Sequence, residues 1–192
     1  MRATAVVVAI LGAGLLASGC GSSSPTSPST TPGTLNIVMK DSPFTDAKAL
    51  LVTFTTVSVH PTGGAFVTLP FVNSATSRTC DLKKLTSAQD VLGTGPLTPG
   101  HYTQIRLVVS SATLYFDNGS SGSPCASTIS APSGNNAAVT IPSGEIILNR
   151  EFDLTTTAAT TIVLDFDGDQ SVKQLGNGSY LMTPVITVVS VQ

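Results

Sequence analysis

The sequence contains no tryptophan, only two histidines, and charged side chains at just 10% of its 192 positions. Without Trp, the usual platform for stacking a sugar ring is missing. A net charge of −2 spread over so few ionisable groups leaves no electrostatic footprint for nucleic acid or an anionic lipid surface. No G-x-S-x-G elbow, H-E-x-x-H, C-x-x-C or phosphate-binding glycine loop occurs. His60 and His101 each lie beside a turn, with no sequence neighbours that would make them a metal pair or a general base. No repeat period recurs, which excludes solenoids and propellers. Helical spacing is confined to Asp81 to Leu92, about one or two turns, with Ser87 and Asp90 spaced for a capping box.

What is present begins with an apolar run from Ala3 to Gly19 after a single basic residue, Arg2. Its 17 residues include three glycines and fall short of the roughly 20 needed for a spanning helix. Ending in Ala17-Ser18-Gly19-Cys20, the run has the form of a secretory leader. The small-small-Cys junction resembles the lipobox of bacterial lipoproteins, which implies acylation of Cys20, for example by palmitate. An ordinary leader with an unmodified cysteine is the alternative. Residues 1–19 are thus read as a lipoprotein signal peptide. Gly21 to Gly33 carries no apolar side chain to offset its ordering entropy, so residues 20–33 form the lipidated cysteine and a Ser/Thr/Pro-rich linker. Residues 34–192 are a single domain, large enough for a core of its own. Once Arg2 has left with the leader, eight basic residues face eleven acidic ones.

Cys80 and Cys125 remain for the domain. In an oxidising compartment they are expected to pair across 44 intervening residues; two buried free thiols are the alternative.

Period-two alternation marks the body of the chain. It places Leu35, Ile37 and Met39 on one face, and likewise Ile105, Leu107 and Val109, and Ile162, Leu164 and Phe166. Leu50 to His60 reads as a strand whose apolar phase switches between Phe54 and Val57, which calls for a bulge near Thr55 and Thr56. Thr113 to Phe116 reads as a hairpin partner of the preceding strand. Arg150 shares a register with Ile146, Leu148 and Phe152, either at a strand end reaching solvent or as a buried charge. The nearly unbroken apolar run Pro184 to Val191 reads as a central strand covered on both faces. About eight to ten short strands between Gly/Pro turns predict an all-β fold, a β-sandwich.

Asp165, Asp167 and Asp169 are the densest carboxylates and offer hard oxygen ligands suited to Ca²⁺, completed by Asp41 or Asp46. The competing reading is a solvated strand face. Tyr102, directly after Pro99-Gly100, is expected to pin a corner through its hydroxyl. Asn118-Gly119-Ser120 and Asn177-Gly178-Ser179 match glycan sequons and are read as turns.

The domain resembles the bacterial lipoprotein family known as domain of unknown function 4382, from about Gly33 to Val189. The resemblance is carried by Gly33-Thr34-Leu35 leading to Asp41-Ser42-Pro43, by Val57-Ser58-Val59-His60 and by Phe66-Val67-Thr68-Leu69. It continues through Asp81-Leu82, Pro99-Gly100-His101-Tyr102, Val163-Leu164-Asp165-Phe166-Asp167 and Pro184-Val185-Ile186. It implies a transthyretin-like or immunoglobulin-like sandwich with one short helical turn, and transfers no catalytic residue. The expected function is that of a lipid-anchored cell-envelope module that binds or supports, more a binding protein than an enzyme, with an envelope hydrolase as the alternative. Its expected partners are the membrane through the N-terminal lipid, and an envelope protein, met along an exposed strand edge, or a glycan. Gly21 after the cysteine, rather than Asp, resembles lipoproteins sorted to an outer membrane or cell surface.

Overall fold

Leu35, Ile37 and Met39 are fully buried along one face of β1 (Gly33–Ser42), the pivot of the smaller of two sheets. The structure, a computed structural model, describes residues 31–42 and 47–192. A parallel strand, β10 (Thr160–Asp167), sets Ile162 opposite Ile37 and Leu164 opposite Met39. On the other side of β1 lies antiparallel β5 (Asp90–Leu97), and β13 (Ile186–Val191) closes the outer edge of β10. β1 begins on glycine because a side chain at position 33 would run into the Thr155 carbonyl and Leu154.

The larger sheet is built on β2 (Ala49–Pro61) and β6 (Gly100–Tyr115), paired antiparallel along almost their full length. β4 (Arg78–Asp81) and then β7 (Cys125–Ala126) extend it beyond β2. Beyond β6 come β8 (Asn136–Thr140), β12 (Tyr180–Met182) and β11 (Val172–Gln174). β3 (Val67–Leu69) also pairs with β2, and β9 (Glu145–Leu154) with β6. One core joins the two sheets, with Ile37, Leu164 and Phe166 on one side and Phe54, Val57 and Leu107 on the other. Each such fully buried side chain contributes roughly 1.5–3 kcal/mol. The expected all-β sandwich is the fold observed.

The bulge expected in the second strand is there. Register slips between Thr53 and Phe54 and again between Phe54 and Thr56, so Val52, Phe54, Val57 and Val59 all reach the same core. Three expectations are corrected. Thr113 to Phe116 forms no hairpin: β6 runs straight through Ser110 and Ser111 to Tyr115, because the slip opposite Thr53 and Phe54 takes up Ser110 without ending the strand. The helix has the shorter of the expected lengths, the single turn α1 (Leu82–Leu85), but its cap is Asp81 rather than Ser87, while Asp90 opens β5. A second turn, α2 (Gly168–Ser171), is capped by Asp167. The last strand is not central. β13 is an edge, with Ile186, Val188 and Val191 packed on the core and Val189 more than half exposed. Arg150 is exposed, which resolves its two readings in favour of solvent.

Tyr102 forms the expected corner. Its buried ring stacks on Phe152 at 5.2 Å, and its hydroxyl donates to the Thr98 carbonyl at 2.6 Å. Burial raises the phenol pKa above its ordinary value of 10.0. A raised folded-state pKa means that the stabilisation is complete below the unfolded value and is lost as pH rises through the folded one. Tyr102→Phe is expected to cost about 1 kcal/mol in urea unfolding at neutral pH. The difference from the parent should shrink above pH ~10, where the phenolate form penalises the parent fold.

Candidate functional site

β4 places Arg78 opposite Phe54 and Cys80 opposite Val52 on one flank, and Cys80 opposite Cys125 on the other. Cys80 and Cys125 are joined, with an S–S distance of 2.05 Å, so the expected disulfide is present. Two residues before this link, the Arg78 side chain is nine-tenths buried, with one guanidinium nitrogen donating to Asp90 Oδ1 at 2.8 Å. Asp90 Oδ2 accepts from the Cys125 backbone N–H at 3.1 Å. One carboxylate therefore binds the start of β5 to both β4 and β7. Arg78 Nε has no hydrogen-bond partner among the described residues.

A cavity of about 550 Å³ opens at this pair. One wall is a 3₁₀ turn, Val72–Ser74, continuing to Ala75; the other is the segment carrying Ser123, Cys125 and Ser127. Asn73 and Ser74 hold φ values of 58° and 54°, the left-handed region that costs a non-glycine residue roughly 1–2 kcal/mol. Asn bears this conformation more readily than Ser, and strained pairs of this kind gather where a backbone must hold a particular shape around a ligand. The opposite wall is anchored from below by Asp81, which is almost wholly buried. Its carboxylate accepts from the Leu50 and Lys83 backbone N–H groups and from Ser120 Oγ at 2.6 Å, while its own N–H donates to the Pro124 carbonyl.

Two of the residues expected to hold Ca²⁺ are engaged elsewhere. Asp165 forms an ion pair with Lys40 at 2.7 Å, and Asp167 caps α2 through the Gln170 backbone N–H and side-chain amide. Asp169 is exposed, Asp41 is buried at the end of β1 and engaged, and Asp46 lies outside the described residues. Among the described residues no three His, Cys, Asp or Glu side chains are grouped for a metal ion. The alternation that aims Asp165 and Asp167 the same way also delivers each to a nearer partner.

His60 Nδ1 lies 3.2 Å from Thr103 Oγ1, with its ring against Phe66. His101 Nδ1 meets Asp153 at 2.9 Å, and its Nε2 faces Glu151 at 3.9 Å rather than a hydroxyl or thiol. Among the described residues, neither histidine stands between a nucleophile and a carboxylate. Asn177 forms the expected turn, accepting from Ser179 N and Oγ, while Asn118 donates to the Ser133 carbonyl.

Sequence reasoning missed the cavity. The available signal was Arg78 itself, the only Lys or Arg between Lys48 and Lys83 and two positions from a cysteine expected to be bridged.

Cys20, the signal peptide and most of the linker lie outside the described residues. Among those described, no helix is long and apolar enough to cross a membrane. A family model described as "Domain of unknown function (DUF4382)" matches residues 32–184. Neither a curated protein nor a solved structure matches the chain.

Proposed function

We propose that this chain, which belongs to the DUF4382 family, is a lipid-anchored binding module of the bacterial cell envelope. The anchor rests on the apolar leader ending in Ala17-Ser18-Gly19-Cys20 and on the Ser/Thr/Pro-rich composition that follows it. About 13 linker residues span at most roughly 40 Å, enough to lift the domain clear of lipid headgroups. The disulfide suits an exported protein, because such bonds persist in oxidising compartments. Gly21 fits onward sorting to an outer membrane in a cell that has one.

The binding role rests on one observation, the cavity that opens at a nine-tenths-buried arginine. Its placement supports the reading. The linker joins the sandwich at Gly33, beside Leu97 at the end of β5 and Leu154 at the end of β9. Asp90, at the opposite end of β5, pairs with Met39, six residues further along β1. At about 3.3 Å per residue this is roughly 20 Å from the tether. A domain held at Gly33 therefore presents the Asp90 end outward.

Metabolic labelling with palmitate tests the anchor. Exported parent protein is expected to carry label and partition with membranes, and Cys20→Ser is expected to lose both properties. A cleaved, unlabelled parent would exclude lipid anchoring.

A further inference from the structure

We infer that the cavity at Arg78 and Asp90 takes an uncharged, hydroxyl-rich ligand of the oligosaccharide class; this rests on the binding-module reading and adds the chemistry of the ligand to it. Charge decides first. Arg78 and Asp90 cancel across 2.8 Å, and no other lining residue carries a charge. An anion approaching the guanidinium meets the Asp90 carboxylate, and a cation approaching the carboxylate meets the guanidinium. Both charged classes are opposed by a group fixed in place, which is how a site discriminates by repulsion.

Hydrogen-bonding capacity decides next. The lining presents donors on Arg78, an acceptor on Asp90, and groups of both kinds on Asn73, Ser123 and Ser127. The last three side chains make no hydrogen bond to the rest of the described chain. A hydroxyl both donates and accepts, so neighbouring hydroxyls on one ligand can bridge a guanidinium and a carboxylate that already lie side by side. Such a wall grips by hydrogen bonds rather than by stacking, since no aromatic side chain among the described residues lines it. At about 550 Å³ the cavity falls within the range of small-molecule sites. Its walls are already braced by the disulfide, by the bond from Cys125 N to Asp90 and by the left-handed turn at Asn73. The backbone of the walls is therefore held before a ligand arrives, and what a ligand must order is the exposed side chains of Asn73, Ser123 and Ser127.

Calorimetric titration of the full-length protein in a sugar-free detergent tests the inference, with maltotetraose, cellotetraose and tetra-N-acetylchitotetraose as neutral probes and citrate and spermidine as charged ones. At least one tetrasaccharide is expected to bind, and citrate and spermidine are not. The double variant Asn73→Ala/Ser127→Ala leaves the Arg78–Asp90 pair intact and is expected to weaken saccharide binding at least tenfold, with the urea midpoint tracking stability separately. Binding of citrate or spermidine in preference to every saccharide would overturn the ligand class while leaving a binding module in place. Saccharide binding indifferent to the double variant in folded protein would overturn the cavity as the site, and no saccharide binding at all would overturn the inference. None of these outcomes touches the anchor, which the label on Cys20 decides.

Discussion

Asp90→Ala is expected to destabilise the domain by about 3 kcal/mol, the low end of what removing one partner from a buried ion pair costs, because the Asp90 side chain is 21% exposed. The substitution strands Arg78, whose side chain is only 8% exposed and whose Nε already has no partner among the described residues. It also takes the acceptor from the Cys125 N–H, loosening the short strand that forms one wall of the cavity. Asp90→Asn keeps the shape and one acceptor oxygen, so it is expected to lose about half as much, in line with a hydrogen bond to a charged group outlasting the ion pair. Replacing both partners with apolar residues, as in Arg78→Met/Asp90→Leu, is expected to recover most of the stability, because the buried charge is then gone altogether. Urea unfolding with an unchanged m-value would make these comparisons direct. A loss below about 1 kcal/mol in Asp90→Ala would mean that water reaches the pair freely, as at an ordinary surface salt bridge.

Opening the Cys80–Cys125 bond is expected to cost about 4 kcal/mol, the loop-closure entropy for a sequence separation of 45. The loss should be visible as a lower unfolding midpoint in Cys80→Ala/Cys125→Ala, or in the parent under reductant. Its structural effect is concentrated in β7, which has only two residues and pairs with β4 through Thr79–Ala126 and the cystine itself. Without the bond, the segment bearing Ser123 and Ser127 is held mainly by Asp81 and Asp90. Local opening there, read by faster amide exchange at Cys125 and Ala126 than in the core of β6, is therefore expected before global unfolding. Uniform protection across both strands in the reduced protein would contradict this picture.

Much of the fold is written in local pattern. Leu35, Ile37 and Met39, and Ile162, Leu164 and Phe166, alternate because each strand has one face in the core, and that period survives whatever the strands pair with. Tyr102 was legible because its partner, Thr98, lies four residues away across a Pro-Gly turn. The phase switch at Thr55 was legible because a change of parity has few causes. Where local signals competed with distant pairing, the distant pairing won. Ser87 and Asp90 have capping spacing, yet Arg78 and β1 draw Asp90 into a strand. Thr113 to Phe116 reads as a returning strand, yet β2 carries β6 on through Ser110 and Ser111 without a turn. Pro184 to Val191 is apolar enough for a central strand, and nothing in its composition reveals that only one side of β13 has a neighbour. The cavity was the least legible feature, because its walls come from segments some fifty residues apart that only the β4–β7 pairing brings together.

The most direct test of the whole account is the intact mass of the native protein extracted from membranes, alkylated without reductant. The account predicts a chain that starts at Cys20, carries added acyl mass and takes up no alkylating agent at Cys80 or Cys125. A mature chain with Cys20 bare, or one alkylated at both domain cysteines, would contradict it.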